Sequence, residues 1–298
     1  MAAVQDIKRR IRSVRNTRKI TRAMELVAAA KLRRAQTRIE AMRPYADTMN
    51  ELIAGVGRAA GSVRGLPLLQ QRESVETVLL VPLTGDRGLA GAFNAQVMRR
   101  AFALERELQA EGLKVRWLGV GKKGRSTLTF RRRELDGAYV GFTDRPAYSD
   151  AQAIAHRCAD LFIEGEVDRV VLVYNTFVSA LTQHVTEQDV LPISADILET
   201  DEEERAADML RGDFIFEPEP EEILARLLPV YVETQLYRAL LESAASEQGA
   251  RMTAMRNASK NAGELIDGLT LQMNRARQAQ ITQEILEIVG GAEALTAS

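Results

Sequence analysis

The sequence predicts an α/β domain combined with a coiled coil. Two long antiparallel terminal helices form a left-handed coiled-coil shaft, and a Rossmann-like α/β domain lies between them in the chain. Three observations carry this reading. Starting at Leu241, steps of four and three pass through Ala245, Gln248, Met252, Met255, Ser259, Ala262, Ile266, Leu269, Met273 and Ala276, a heptad seam built mostly from small side chains. Hydrophobic residues reach 46% while aromatics stay at 5%, which suits long helices better than a β-sandwich. Between about residues 74 and 195 the apolar pattern alternates between strand-like and helix-like periods.

Taken in order, residues 1–60 form an N-terminal shaft helix, with no Gly or Pro before Pro44 and Ile7, Ile11, Val14, Ile20, Met24 and Val27 along one side. Residues 61–73 are a linker, marked by Gly61, Gly65 and Pro67. Residues 74–198 form the α/β domain. "VETVLLVPL", "LKVRWLGVG" and "RVVLVYNTFV" are strands, joined by the helices "AFNAQVMRRAFALERELQAEG" and "DAQAIAHRCADLFIEGEV", with "TQHVTEQDVLPI" following the last strand. Residues 199–215 are an acidic connector, and 216–298 a C-terminal shaft helix and tail. At 1.5 Å per residue, helices of about 55 and 70 residues measure roughly 80 and 105 Å, too long for burial in a chain of this size. A strict seven-residue repeat makes them pair as a left-handed supercoil.

Charge is distributed unevenly behind a net charge of −1. Residues 1–40 hold twelve Lys/Arg against three acids, whereas Asp201 to Glu222 holds ten acids against two Arg. The two regions therefore face different partners. A lone cysteine, Cys158, excludes an internal disulfide and a Cys-based zinc site. No apolar run has the length of a membrane span.

Two loops look chemical. "GVGKKGRS", Gly119 to Ser126, holds a literal G-x-G-x-x-G after a strand, but Arg125 stands where a P-loop has its Lys. A βα turn whose glycines permit tight geometry is the competing explanation. "TGDRGLAGAFN", Thr84 to Asn94, follows the first strand at the edge where α/β proteins bind ligands, without a phosphate spacing. Its Asp86 and Arg87 form either an internal pair or an exposed docking point, of which docking is preferred. His156, His184 and Cys158 share no local motif, so no catalytic, cofactor or metal residue is expected. A nucleic-acid reading of the basic N-terminal helix is the rival, but its cations wrap nearly the whole circumference instead of forming one stripe, and a DNA-reading helix would need aromatic or amide residues aimed at bases plus a dimerisation unit.

Four stretches, "IKRRIRSVRNTRKITRAMELVAAAKLRRAQ", "DRGLAGAFN", "SEQGARMTAMRNASKNAGELI" and "ARQAQITQEILEIVGGAEAL", resemble the gamma-subunit family of the F-type ATP synthase, in its bacterial form. The resemblance spans essentially the whole chain. It implies a central-stalk rotor without nucleotide, cofactor or metal site of its own. Its implied partners are three alpha and three beta subunits, the epsilon subunit and the c-ring, with no nucleic acid and no membrane span. Proton-driven rotation of the ring would be coupled to the beta-subunit catalytic sites, from a peripheral place at the cytoplasmic side of the plasma membrane. Carried over residue by residue, it implies contacts with beta at Met24, Arg87, Arg251, Arg277, Gln278, Thr282 and Glu284, and with the c-ring at Phe214 and Glu217. The tail "ILEIVGGAEAL" would sit in an apolar sleeve. Departures from the family pattern at Gly85, Ala90 and Ala92 touch only the packing of one loop.

Overall fold

A computed structural model describes residues 2–60, 65–72, 74–194, 197 and 217–296. Its elements are α1 (Ala2–Ala59), a short 3-10 turn (Pro67–Leu69), β1 (Thr77–Pro82), α2 (Phe93–Ala110), β2 (Lys114–Val120), α3 (Lys122–Phe130), β3 (Gly137–Tyr139), α4 (Tyr148–Ile163), β4 (Arg169–Phe177), β5 (Gln183–Leu191) and α5 (Pro220–Thr296). The chain divides into two units, Met1–Ala28 with Arg251–Ser298, and Ala29–Ala250.

The larger unit is built on a five-stranded sheet in the order β3-β2-β1-β4-β5. β1 pairs in parallel with β2 and β4, and β2 in parallel with β3, while β5 lies antiparallel along β4. Side chains alternate across the sheet with a period of two, so each strand feeds two cores. Val78, Leu80, Trp117, Val171 and Val173 face α2 and Leu128 of α3. Leu79, Val81, Leu118, Val120 and Leu172 face α4, together with Met49, Ile53 and Val56 of α1 and Leu224, Leu228, Val232 and Leu236 of α5. The sequence pattern did not announce α3 or β3. α3 has only Gly124 and Leu128 buried, and β3 is three residues long, so neither leaves much periodic signal.

The stretches Ala29–Ala59 of α1 and Pro220–Ala250 of α5 therefore belong to the α/β unit, where they complete one face of the sheet. Arithmetic on helix length alone expected both helices to pair with each other throughout. That holds in the smaller unit, where Arg256 of α5 reaches Glu25 of α1 and Gly263 lies against Arg18. A step of seven backward on α1 matches a step of seven forward on α5, which is an antiparallel heptad register.

The α5 seam is the one expected from the sequence, with Met255, Ala262 and Ile266 buried and Met252, Ser259, Leu269 and Met273 half-buried. The α1 seam differs. Ile20 and Val27 point outward, 60% and 56% exposed. The covered positions run Val4, Ile7, Ile11, Val14, then Thr21, Glu25, Ala28 and Leu32, again in steps of three and four except where Arg18 is exposed. Of the apolar residues expected along one side, Ile7, Ile11, Val14 and Met24 are covered and only Ile20 and Val27 are not. Thr21 and Glu25 hold seam positions because both are satisfied there, Thr21 Oγ1 by the Arg18 carbonyl at 3.1 Å and Glu25 by two arginines.

Candidate functional site

In a parallel sheet a ligand enters the crevice at the carboxyl ends of the strands, where crossover helices diverge to opposite faces. Here that point lies between β1 and β4. α2 and α3 cover one face and α4 the other. The loops after β1 and β4 open around the crevice, and α5 fills it. Ser243, Ala244, Ala245, Ser246, Glu247 and Gln248 are all buried. Ser246 Oγ donates to the Asn175 carbonyl at the end of β4, at 3.0 Å. A Cβ on Gly249 would lie 3.4 Å from the Ala180 carbonyl, and one on Gly85 would lie 2.7 Å from the Glu247 carboxylate carbon. Small side chains at this stretch of the seam thus serve close approach to the sheet edge.

The turn "GVGKKGRS" is committed in the same way. Gly121 has φ 85°, and a Cβ there would lie 2.1 Å from the Thr84 carbonyl oxygen, so only glycine fits. Its N–H donates to the Tyr139 carbonyl at 2.8 Å. The next three amides donate to Asp86 Oδ1 (Lys122, 2.9 Å), the Gly85 carbonyl (Lys123, 3.1 Å) and Thr84 Oγ1 (Gly124, 2.8 Å). A phosphate would need these donors at the start of α3. An internal carboxylate and two oxygens of the neighbouring loop already hold them, so the turn is a structural joint.

Asp86 is the centre of that joint. Its Oδ2 accepts from Gly141 N (2.8 Å), Thr143 N (3.1 Å) and Thr143 Oγ1 (3.0 Å), while its own N–H donates to Thr143 Oγ1 at 2.8 Å. Burial opposes its charge, but the amides of Gly141, Lys122 and Thr143 and the Thr143 hydroxyl outweigh it and hold the carboxyl below its ordinary range. The loop does not pair Asp86 with Arg87. Asp86 is an internal anchor, and Arg87 stands exposed beside Leu89.

The loop that Asp86 grips continues to the terminal helices. Asp144 takes Lys31 of α1 on Oδ2 and Gln248 Nε2 of α5 on Oδ1, the latter at 2.7 Å. Arg38 Nη1 donates to the Pro146 carbonyl at 3.2 Å. Further along, Glu233 of α5, 4% exposed, accepts from Tyr148 OH at 2.7 Å and Gln152 at 3.3 Å, and meets His156 Nε2 at 2.9 Å. Burial and the Glu233 bond both push the Tyr148 phenol upward. His156 is thereby a tie between α4 and α5, and Cys158 is a core residue whose thiol burial pushes up to about 12.

In the smaller unit, Glu25 joins both helices. Arg256 Nε donates to Oε1 at 3.0 Å and Arg22 Nη1 to Oε2 at 2.8 Å. The Arg256 bond lowers the Glu25 carboxyl most, burial opposes it, and Arg22 adds to the lowering. Its cover is only a two-helix layer, and the two guanidiniums stay open to water, 62% and 55% exposed.

The residues singled out from the sequence fall in several places. Met24 is half-buried next to Glu25, and Arg251, the residue before Met252 of the α5 seam, is 8% exposed. Arg277, Gln278, Thr282 and Glu284 are exposed on α5, where Glu284 Oε1 accepts from Gln280 at 2.8 Å. Glu217 is exposed just before α5, and Phe214 lies outside the described residues. Every residue from Ile281 to Gly290 is exposed, including Ile285, Leu286, Ile288 and Val289. Among the described residues, no helix is long and apolar enough to cross a membrane and no side-chain cluster suits a metal.

A crevice plugged by the chain's own helix, and a pairing of the two terminal helices that leaves faces open, define a class, an α/β domain whose terminal helices pair as a coiled coil. Known proteins of that class match throughout. A family model described as ATP synthase covers residues 3–295. The chain is 48% identical over 297 residues to the ATP synthase gamma chain of Rubrobacter xylanophilus, covering 100% of each, and 46% identical to that of Nostoc punctiforme, covering 99% and 100%. Among solved structures, a central stalk and c-ring of the Tetrahymena thermophila mitochondrial ATP synthase contains a chain with TM-score 0.57 at 30% identity, covering 80% of this chain and 99% of that one. The rotor of the Euglena gracilis mitochondrial ATP synthase shares the fold, with TM-score 0.64 at 18% identity over 94% and 99% of the two chains. The chain belongs to the ATP synthase gamma-chain family. Its place is the central stalk of that synthase, a peripheral part of a membrane-bound complex.

Proposed function

We propose that the chain is the rotor that couples proton-driven turning of a c-ring to the beta-subunit sites of an F-type ATP synthase, with no catalytic site of its own. The observation that carries this reading is the uncovered state of the two-helix unit. Ile20, Leu26 and Val27 on α1, in a stretch that also holds Arg18, Lys19 and Arg22, and Ile281, Ile285 and Ile288 on α5, among glutamines and glutamates, are each about half exposed or more. A chain that worked alone would gain by covering these residues, whereas one enclosed by a ring of subunits needs them outside. The register of the helix pair adds that α5 runs on alone past the start of α1, from about Gln280. That extension, roughly 24 Å long, suits an enclosing apolar collar.

In this reading Met24, Arg251, Arg277, Gln278, Thr282 and Glu284 belong to the part inside three alpha and three beta subunits. Arg87 faces beta from the sheet edge, and Phe214 and Glu217 face the c-ring near the epsilon subunit. Arg251, being buried, acts by shaping the seam beneath the contact. The complex sits on the cytoplasmic side of a bacterial plasma membrane. Mg-ATP hydrolysis by matched alpha and beta subunits, with and without this chain and beside the chain alone, tests the assignment. Inertness alone with rapid turnover in the complex is the expected result. Hydrolysis by the isolated chain, or failure to join the hexamer, would sink it.

A further inference from the structure

The torque that a rotor transmits must cross from its α/β unit to its long helices, through their shared close-packed core and through directional contacts. A charged clasp that holds both helices at once adds direction that apolar burial lacks. From the contacts at the mouth of the switch-point crevice, we propose that Asp144 is such a clasp, a positioning residue that locks the α/β unit to α1 and α5 so that rotation is delivered without slip. This rests on the rotor reading above.

Three features of the larger unit support it. One carboxylate binds both helices, Lys31 on Oδ2 and Gln248 on Oδ1 at 2.7 Å. The loop carrying Asp144 is itself fastened to the sheet on the near side, because Asp86 grips Gly141 and Thr143 immediately before it. On the far side the Pro146 carbonyl takes Arg38 of α1 at 3.2 Å, and Asp150 caps the first turn of α4 through the Ala147 amide at 2.8 Å. Force can therefore pass from β1 through Asp86 and the loop to Asp144, and from there into both helices. Asp144 is one-third exposed, so the clasp contributes little to the hydrophobic core and its removal should leave the fold standing.

The test uses the whole membrane-bound complex in inverted vesicles, comparing ATP-driven proton pumping with ATP hydrolysis in the same preparation. Asp144→Ala is expected to keep assembly and hydrolysis near the parent level while protons pumped per ATP fall measurably, by up to about fivefold, the limit set by about 1 kcal/mol of directional contact. Lys31→Met should give part of that loss, and Lys31→Met with Asp144→Ala should be no worse than Asp144→Ala alone, because both remove one clasp. Asp144→Glu should restore most of the coupling. Parent-level pumping per ATP in Asp144→Ala would overturn the proposal. So would equal loss of pumping and hydrolysis in both Asp144→Ala and Lys31→Met, since that marks a folding role. If Asp144→Ala fails to assemble, Lys31→Met decides alone, with unchanged pumping per ATP overturning the clasp. Failure of the parent chain to join the hexamer would instead strike the rotor reading itself.

Discussion

The two units of the chain use the same two helices in opposite ways. In the larger unit α1 and α5 are one wall of a dense aliphatic core, with Ile53, Leu228 and Leu236 at 0–1% exposure against a parallel sheet. In the smaller unit they have only each other. Their seam there includes Thr21, Glu25 and Ser259, and large apolar residues stand outside it. A three-layer core is held by removal of apolar area from water and tolerates little change of shape. A two-layer helix pair buries less, so it relies on polar register-setters and on whatever later surrounds it. The difference separates a part that must be rigid alone from a part that is completed in an assembly.

Backbone substitution at the joint of the larger unit should have the largest effect. Gly121→Ala would place a Cβ 2.1 Å from the Thr84 carbonyl oxygen at φ 85°. With backbone on both sides of the clash, the cost should exceed about 3 kcal/mol and strongly destabilise the α/β unit. Gly85→Ala makes a milder clash, 2.7 Å from the end of the Glu247 side chain. Thermal unfolding of the assembled complex should rank parent, Gly85→Ala and Gly121→Ala in that order. Equal midpoints for Gly121→Ala and the parent would remove the claim that this turn is a structural joint.

Truncation on the two sides of the comparison sharpens it. Leu172→Ala, at 0% exposure between two helical layers, should cost about 2–5 kcal/mol. Met255→Ala, at 5% exposure in the seam, should cost nearer 1 kcal/mol, because solvent beside a two-helix layer can enter the gap. Denaturant midpoints of both variants measure the gap. Similar costs would mean that the helix pair is packed as tightly as the sheet.

Much of this was legible in the sequence, and the failures have a common cause. The α5 seam showed through because its apolar and small residues follow the period themselves. The α1 seam showed only in part, at Ile7, Ile11, Val14 and Met24, because Thr21 and Glu25 hold two of its positions while the apolar Ile20 and Val27 nearby lie outside it. Spacing alone, counted without regard to polarity, would have led from Val14 through Thr21 and Glu25 to Ala28 and Leu32. The glycines of "GVGKKGRS" advertised tight geometry, but the oxygens that use it belong to Thr84, Gly85 and Asp86, some forty residues earlier. Nothing local to Asp144 marked it as a tie between the helices. Its partners, Lys31 and Gln248, are 113 and 104 residues away.

The smallest effects are electrostatic, and there the two units differ in kind. Asp86 and Glu25 both have lowered carboxyl values, so each contributes stability that is fully present above its ordinary value and is lost as pH falls through the lowered one. For Glu25 the loss begins near its ordinary 4.5, and for Asp86 near 3.8, each continuing below. What holds the charge separates them. Asp86 is held largely by backbone amides, which salt screens little, and Asp86→Asn at neutral pH should cost about 1 kcal/mol at any ionic strength. Glu25 is held by Arg22 and Arg256, both open to solvent, so Glu25→Gln should cost measurably less in 1 M salt than at low salt. Unfolding midpoints of the two variants against the parent at pH 7, low salt and high salt, give the result directly. Matching salt dependence would mean that the thin helix pair shields its ion cluster as well as the sheet edge shields Asp86, and that the seam is a closed core after all.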